Sequence, residues 1–376
     1  MLLRDHDIEM HLMFGIDSSD RGPKRWGKST VHFYPRRERR NLKRYILRAM
    51  DTIRPDIIQV RNSVSTGMTA LRLAREKGTR FVFRESFSNL LRREFELRNG
   101  FKKGWWYKKY LLALQNRALR KLYEASDLVI PLSETMANRI RTIAPRARVF
   151  IVPNGYDPAL VQAALRRPSP LGLRLPPRYL LYFGTMEPLR KLEKLAPVLG
   201  NLSKRFPDLH LVFMGSIERS YRVEMTRHFE SECCSGRVVF TGPVQRADVF
   251  RAIEKAEIVL SPIDGTPVFE ISCPLKLIEA MGVGSVIAAT DIPEQRKLIE
   301  AGRCGRVVKY ETAAFAQAIA DLLGLKEEEK KSMKLSGRRF AQSHRDYRKI
   351  AEKLAAVYHC LVTQGGETAS RLPGIY

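Results

Sequence analysis

Cysteine is scarce, acidic side chains are outnumbered, and no long apolar run occurs. Five cysteines, Cys233, Cys234, Cys273, Cys304 and Cys360, are found in 376 residues. Their number is odd and none stands in a C-x-x-C or C…H spacing, which argues against a disulfide framework and against a structural zinc site. No stretch approaches the ~18 consecutive apolar residues of a membrane-spanning helix. The opening residues MLLRDHDIEM carry charges where a secretory leader needs an apolar run, so the expected setting is cytoplasmic. The triplet Asp5-His-Asp7 has the D-x-D form of a metal-binding pair, but it precedes the first expected strand instead of ending one, and no metal is expected there.

Forty Asp and Glu face 66 Lys and Arg, a formal net charge of +26. The excess is uneven. Residues 1–170 hold 35 basic and 16 acidic side chains, and residues 171–376 hold 31 and 24, so the first part carries +19 and the second +7. Such a field suits a densely negative partner: nucleic acid, an anionic membrane surface or a phosphorylated acceptor. Charge alone does not choose among them.

Hydrophobic periodicity shows short apolar runs alternating with stretches of helical spacing. Strands are expected at 8–14, 56–60, 80–84, 127–131 and 148–152, with helical patterns between them, notably at 64–77 and 104–124. A second series is expected at 179–184, 210–215, 237–242, 257–263, 285–289 and 305–310. Strict alternation of strand and helix implies an α/β chain with parallel sheets covered by helices on both faces. The Pro/Gly/Arg-rich stretch RRPSPLGLRLPPR at 166–178 separates the two series and reads as a linker. Two doubly wound domains are therefore expected, at 1–165 and 179–340. The segment 344–361 has apolar Ile350, Leu354, Val357 and Leu361 at helical spacing and forms a further helix within a 341–376 tail.

The densest chemical signal is FEISCPLKLIEAMG at 269–282. Pro274 opens an apolar helical pattern, the favoured place for proline at a first helical position. The amides of that turn have no intrahelical partner and lie at the positive end of the dipole, a ready anion site. Glu279 lies roughly 7.5 Å further along the axis at ~1.5 Å per residue. That separation suits a nucleotide diphosphate at the helix start with ribose hydroxyls at the glutamate. A plain helix with a solvated glutamate has the same spacing. The pair Gly282 and Gly284 follows a helix and precedes a strand, the reverse of a phosphate loop, and reads as a helix stop.

Several pieces in order, FGTMEPLRK at 183–191, VFTGP at 239–243, AEIVLSP at 256–262 and PLKLIEAMGVG at 274–284, resemble the donor domain of the retaining GT-B-fold glycosyltransferases of the group 1, family 4 type. DLVIPLS at 127–133 and VPNGYD at 152–157 agree with that family's first domain. The resemblance implies a GT-B fold of two Rossmann-like domains facing a cleft, a nucleotide-diphospho sugar as donor, a glycan or lipid-linked acceptor, and no obligatory metal or other cofactor. It implies transfer with retention, in which the leaving diphosphate is thought to take the acceptor's proton, and a terminal helix returning to the first domain.

Carried over residue by residue, the resemblance places Gly184 and Thr185 in the loop after the second domain's first strand. Arg190 and Lys191 follow at the diphosphate, where an arginine fork suits the oxygens. It places Ser272, Cys273, Pro274, Leu275 and Lys276 around the helix start, and Glu279 at the ribose. Lys276 reaches either a phosphate or Glu279 on its own helix face. The family's two glutamates have seven residues between them, whereas Glu270 and Glu279 have eight, with Ile271 at the strict position. Either a bulge restores Glu270 beside the donor sugar or this branch has lost that group. On the acceptor side the family carries a histidine where this chain has FVFRESF at 81–87, so Arg84 and Glu85 are the catalytic candidates. Glu85 either bonds the attacking hydroxyl or pairs with Arg84 or Arg61.

NGFKKGWWYKKY at 99–110 combines lysines with aromatics. It leads into a helix whose Tyr107, Leu111, Leu114, Ala118 and Leu122 stripe reads as core. Phe101, Trp105 and Trp106 with their lysines suit an anionic membrane surface, and peripheral docking on the inner face of a membrane is expected. The family also opens with a strand, a glycine loop and a helix that have no counterpart ahead of 8–14, so about 25–30 residues, a βα half-unit, are expected to be missing. The alternative is a shortened form in which 8–14 pairs with 56–60. The functional expectation is a transferase in cell-surface polysaccharide or glycolipid synthesis. Its rivals are a catalytically silent relative and a basic nucleic-acid-binding protein; no nucleic-acid motif is present, and nucleic acid is not an expected partner.

Overall fold

The structure, a computed structural model, describes residues 6–17, 23–26, 29–99, 105–166 and 174–372. They cluster in two units, Met1–Pro153 with Tyr347–Tyr376, and Asn154–Asp346.

In the first unit, strands β1 (Met10–Ile16), β2 (Lys24–Trp26) and β3 (Ser29–Pro35) form one small sheet in the order β1-β3-β2. Helix α1 (Leu42–Ile53) follows, burying Ile46 and Met50. Then come β4 (Ile57–Arg61), α2 (Val64–Glu76), β5 (Arg80–Glu85), α3 (Asn89–Arg98), α4 (Trp105–Ala125), β6 (Leu128–Pro131) and α5 (Glu134–Ile143). β4, β5 and β6 make a parallel sheet in that order. Serines stop the chain between strand and helix here: the hydroxyls of Ser63, Ser88 and Ser133 accept amide hydrogens of Thr66, Leu91 and Met136, capping α2, α3 and α5.

Three expectations are corrected. β1 pairs in parallel with β3, not with β4. The alternation of Val31 and Phe33 with Thr30, His32 and Tyr34 marked β3, a strand the sequence reading passed over. Residues 148–152 form no named strand: Val149 makes a single bridge to Val129.

The second unit holds α6 (Pro158–Arg166), β7 (Tyr179–Phe183), α7 (Leu195–Arg205), β8 (His210–Met214), α8 (Arg219–Ser231), β9 (Val238–Gly242), α9 (Arg246–Lys255), β10 (Ile258–Ser261), the one-turn α10 (Pro267–Glu270) and α11 (Leu275–Val283). β11 (Ile287–Thr290), α12 (Pro293–Gly302), β12 (Gly305–Val308), α13 (Thr312–Leu323) and α14 (Glu327–His344) complete it. Its six strands are all parallel, in the order β12-β11-β10-β7-β8-β9. Leu180, Leu211, Phe213, Ile258 and Leu260 from the sheet pack with Leu195, Leu199, Phe229, Phe315 and Ile319 from the helices. Strands apolar on consecutive positions, such as YLLYF and HLVFM, are what a sheet covered on both faces requires. Order reverses at β7, whose neighbours are β10 and β8, and the carboxyl ends beside such a switch are where open α/β sheets take ligands.

The last helices, α15 (Tyr347–Thr363) and α16 (Gly366–Arg371), belong to the first unit. Ile350, Leu354, Val357 and Leu361 of α15 are buried against Val82, Leu128, Ile130, Phe150 and Val152. Each such side chain contributes roughly 1.5–3 kcal/mol. Among the described residues, no helix is long and apolar enough to cross a membrane.

Candidate functional site

The carboxyl end of β7 and the start of α11 bring cations together. β7 runs into Gly184, whose φ of 115° lies in the region that favours glycine. A Cβ there would fall 2.0 Å from Cε of Lys276, so the absent side chain lets the lysine lie across the turn. Lys276 Nζ donates to Tyr182 Oη at 3.0 Å and sits 4.6 Å from the centre of that ring. Tyr182 Oη in turn donates to the carbonyl of Thr185 at 3.0 Å, and the Arg190 charge acts on the same phenol. Burial pushes the Tyr182 phenol up to about 12, so it stays neutral between two cations.

Arg190 lies with its guanidinium 5.0 Å from the centre of the Phe269 ring and its Nε 3.4 Å from Glu187 Oε1. Burial first, then the Arg190 charge, holds Lys276 well below the usual lysine range. Enclosing two cations with few counter-charges is costly, and an anion arriving at this point offsets the cost.

α11 starts at Leu275. Pro274 is its N-cap residue, not its first helical residue, and no side chain caps the turn. The first amides therefore keep their free donors beside Lys276. Glu279, one turn further, is buried, and its Oε1 accepts from Arg246, the first residue of α9. Burial, partly countered by Arg246 and then Lys276, raises its carboxyl above the usual range. Lys276 thus pairs with Tyr182, and Glu279 with Arg246; the lysine–glutamate bond open from the sequence is not formed.

The other candidates divide. Lys191 is exposed in a left-handed turn (φ 53°), its carbonyl held by Tyr310 Oη at 3.0 Å. Lys194 is the residue that turns inward, to Asp264 at 3.0 Å. Ser272 Oγ donates to Phe269 O at 2.6 Å. Cys273 is buried, with burial pushing its thiol up to about 12, and its carbonyl accepts from Asn154 Nδ2 at 2.9 Å. Ser272 holds the turn with its side chain and Cys273 with its carbonyl. Glu270 ends α10 with an exposed side chain between buried Phe269 and Ile271, and no hydrogen bond or ion pair ties its carboxylate to another described residue. Gly284 caps α11 in a left-handed conformation (φ 87°), as a helix stop does.

In the first unit, Glu85 pairs with neither Arg84 nor Arg61. It is buried on the opposite face of β5, accepting from Tyr123 Oη of α4, and burial raises its carboxyl, with Tyr123 and then Ser88 opposing the shift. Alternation along a strand explains this: Arg84 and Glu85 must point to opposite faces. The stripe assigned to the core of α4 is corrected over its first part: Tyr107, Leu111 and Leu114 are exposed, whereas Ala118 is half-buried and Leu122 buried, together with Leu112, Leu119 and Tyr123 outside the stripe. Asp5, Phe101 and Lys103 lie outside the described residues, as do the side chains of Trp105 and Trp106.

Two family models match the chain: Glycosyltransferase Family 4 over residues 3–160 and Glycosyl transferases group 1 over residues 177–324. The chain belongs to the GT-B glycosyltransferases. Among curated relatives, the phosphatidyl-myo-inositol mannosyltransferase of Mycolicibacterium smegmatis is 26% identical over 57% of this chain and 52% of the relative. The D-inositol 3-phosphate glycosyltransferase of Paenarthrobacter aurescens is 25% identical over 46% of this chain and 43% of the relative. The chain is thus matched to about half the length of these two relatives. Sucrose-phosphate synthase from Thermosynechococcus elongatus has the same fold, with a TM-score of 0.72 at 15% identity, covering 94% of this chain and 88% of that one. Anabaena HepE, solved with UDP and glucose, aligns with a TM-score of 0.65 at 16% identity over 88% of this chain and 86% of its own.

Tyr182, Glu187, Asn154 and Arg246 contact the candidate residues Lys276, Arg190, Cys273 and Glu279 and were not singled out in the sequence. Asn154 lies inside VPNGYD and Arg246 three residues past VFTGP, so the motifs were visible while the roles of these side chains were not.

Proposed function

We propose that this chain transfers a sugar from a nucleotide-diphospho sugar to an acceptor hydroxyl, with retention, in the synthesis of a cell-surface polysaccharide or glycolipid. The observation that carries the reading is the convergence of Lys276 and Arg190 on the neutral phenol of Tyr182, beside the uncapped start of α11. A donor diphosphate adds negative charge to a cluster whose counter-charges are Glu187 and Glu279. Lys276, Arg190 and the first amides of α11 hold its oxygens and stabilise the charge that grows on it as the glycosidic bond breaks. Glu279, positioned by Arg246, accepts from the ribose hydroxyls. Names of relatives that act on phosphatidyl-myo-inositol and D-inositol 3-phosphate support an acceptor hydroxyl on a phosphate-bearing polyol.

The exposed Tyr107, Tyr110, Leu111 and Leu114, with exposed Lys109 and Arg117 on the same helix, support docking on an anionic membrane. Exposure of Glu270 and burial of Glu85 favour one second reading, a silent relative that binds donor without turnover.

Calorimetry with UDP and GDP tests the donor site, and release of nucleoside diphosphate from UDP- or GDP-sugars tests turnover. Binding with release supports the transferase, binding without release supports the silent relative, and absence of both overturns the reading.

A further inference from the structure

Arg61 and Arg84 are register partners at the carboxyl ends of β4 and β5. Partners in a parallel pair project from the same face, on strands ~4.8 Å apart. Two guanidinium groups therefore stand side by side at a sheet edge where α/β proteins take ligands.

Neither forms an ion pair with a described carboxylate. Arg61 is exposed and spends Nε on Ser86 Oγ at 2.6 Å, which leaves the other nitrogens of its fork available. Arg84 is half-buried, and the titratable groups acting on it are the neutral phenols of Tyr347 and Tyr358 of α15 and the Arg61 guanidinium. The neighbouring carboxylate, Glu85, points away to Tyr123. Burial, then the like charge of Arg61, lowers the Arg84 guanidinium from its usual range. Elsewhere this basic chain matches arginines to acids, as in Arg80 with Asp127 and Arg178 with Asp208.

The frame around the pair is fixed. Asn62 adopts a left-handed conformation (φ 59°), and its Oδ1 accepts from Ser86 N at 2.8 Å, Ser86 Oγ at 3.1 Å and Phe87 N at 3.3 Å. Tyr358 Oη donates to Gln59 Oε1 at 2.5 Å on the same sheet face. The helices α2 and α3 both begin just past these strand ends, and their dipoles add to the positive field.

We infer that Arg61 and Arg84 form a binding site for a phosphoryl group carried by the acceptor, an inference that rests on the transferase reading above. Two arginine forks at adjacent register positions match the several oxygens of a phosphate monoester or diester. A neutral polyol gives the pair nothing to neutralise. The phosphoryl group orients the acceptor so that a hydroxyl elsewhere on it is presented for transfer.

The test uses the whole chain with UDP present and absent. Inorganic phosphate, a phosphorylated polyol, the same polyol without phosphate, and vesicles of phosphatidylinositol or of phosphatidylcholine are titrated at constant ionic strength. The phosphorylated polyol binds and the bare polyol does not; preference for phosphatidylinositol vesicles over the soluble phosphate assigns the group to a lipid headgroup, and the converse to a free acceptor. Arg61→Gln and Arg84→Gln each weaken phosphate binding by ~10-fold or more, the scale of one lost charge-assisted bond, with UDP affinity unchanged. Because Arg84 lacks a counter-charge, Arg84→Met melts no lower than the wild type without phosphate, and phosphate no longer raises its melting temperature. Equal binding of phosphorylated and bare polyol while UDP still binds overturns this inference and leaves the transferase reading in place. A lower melting point of Arg84→Met with phosphate binding intact also overturns it. Failure to bind UDP, with the wild type still selective for the phosphorylated polyol and the arginine variants deprived of that selectivity, overturns the transferase reading alone.

Discussion

Lys276 and Tyr182 are bonded at 3.0 Å, with the ammonium also against the face of the ring, so an enclosed lysine has a neutral phenol for its nearest partner. The lysine is held well below its ordinary range by burial and by Arg190. A group so depressed binds fewer protons in the folded chain than in the unfolded one, and stability rises with pH between the two values. A diphosphate at this point reverses the shift, because an opposite charge favours the ammonium. Binding of UDP at mildly alkaline pH is therefore expected to take up a proton. Calorimetry in buffers of different ionisation enthalpy reads that proton, and Lys276→Met abolishes it; identical enthalpies in all buffers for the wild type would contradict the placement.

Glu279 and Arg246 act as one unit. Glu279→Gln keeps the shape and removes the charge, and is expected to weaken nucleotide binding by ~1–3 kcal/mol, the scale of one hydrogen bond to a charged group. Arg246→Ala leaves a buried carboxylate without its cation, so it lowers stability as well as affinity. Uridine or guanosine should sense Glu279→Gln but hardly sense Arg190→Ala, which acts on the diphosphate. Calorimetry with nucleoside and nucleotide separates the two, and equal losses for both ligands in both variants would refute the division.

The thiols should be protected unequally. Cys233 is exposed, whereas Cys234, Cys273 and Cys304 are buried, with burial pushing their thiols to about 11, 12 and 12. Since the thiolate is the reacting form, iodoacetamide at neutral pH is expected to modify Cys233 first and the three buried thiols only on unfolding. Peptide mapping after brief labelling checks the order. Early modification of Cys273 would mean that the turn before α11 opens in the native state.

The α/β class and the second unit were legible because its inner strands β7, β8, β10 and β11 are short buried runs, mostly apolar on both faces. VFTGP and PLKLIEAMG announce a strand end and a helix start in the sequence itself. What escaped was side-chain direction. Whether Lys276 meets Glu279 on its own helix or Tyr182 across the fold depends on Gly184 leaving room, a tertiary fact that helical spacing does not contain. The first part of the α4 stripe failed for a related reason. Tyr107, Leu111 and Leu114 follow the helical period that ends at buried Leu122, but Leu112, Leu119 and Tyr123 are apolar too, and a helix apolar on two faces does not say which one is covered.

The exposed face of α4 yields a measurement. If Tyr107, Tyr110, Leu111 and Leu114 enter a headgroup layer, the chain floats with anionic vesicles, less so as salt rises, because basic side chains such as Lys109 and Arg117 supply the long-range attraction. Leu111→Ser/Leu114→Ser removes apolar contact from an exposed face and is expected to reduce flotation severalfold without lowering the melting temperature. Flotation indifferent to salt and to these changes would leave the membrane reading without support.

Glu85 provides the sharpest separation between a structural and a catalytic role. Its carboxyl is raised by burial, with Tyr123 and Ser88 opposing the shift through hydrogen bonds. In the folded chain it binds more protons than in the unfolded chain between the ordinary carboxylate value and its own raised one. Its contribution to stability is therefore full below that window and lost as pH rises through it. Glu85→Gln keeps a hydrogen-bond acceptor for Tyr123 and removes the titration, so unfolding midpoints of the variant should be flatter across mildly acidic to neutral pH and no lower than wild type at neutrality. Tyr123→Phe leaves the carboxyl without its main donor and should be destabilised by ~1–3 kcal/mol. Denaturant unfolding over a pH series measures both. Turnover of the folded Glu85→Gln variant close to wild type is the expected companion result, and loss of turnover by several orders of magnitude with stability retained would restore Glu85 to the reaction itself.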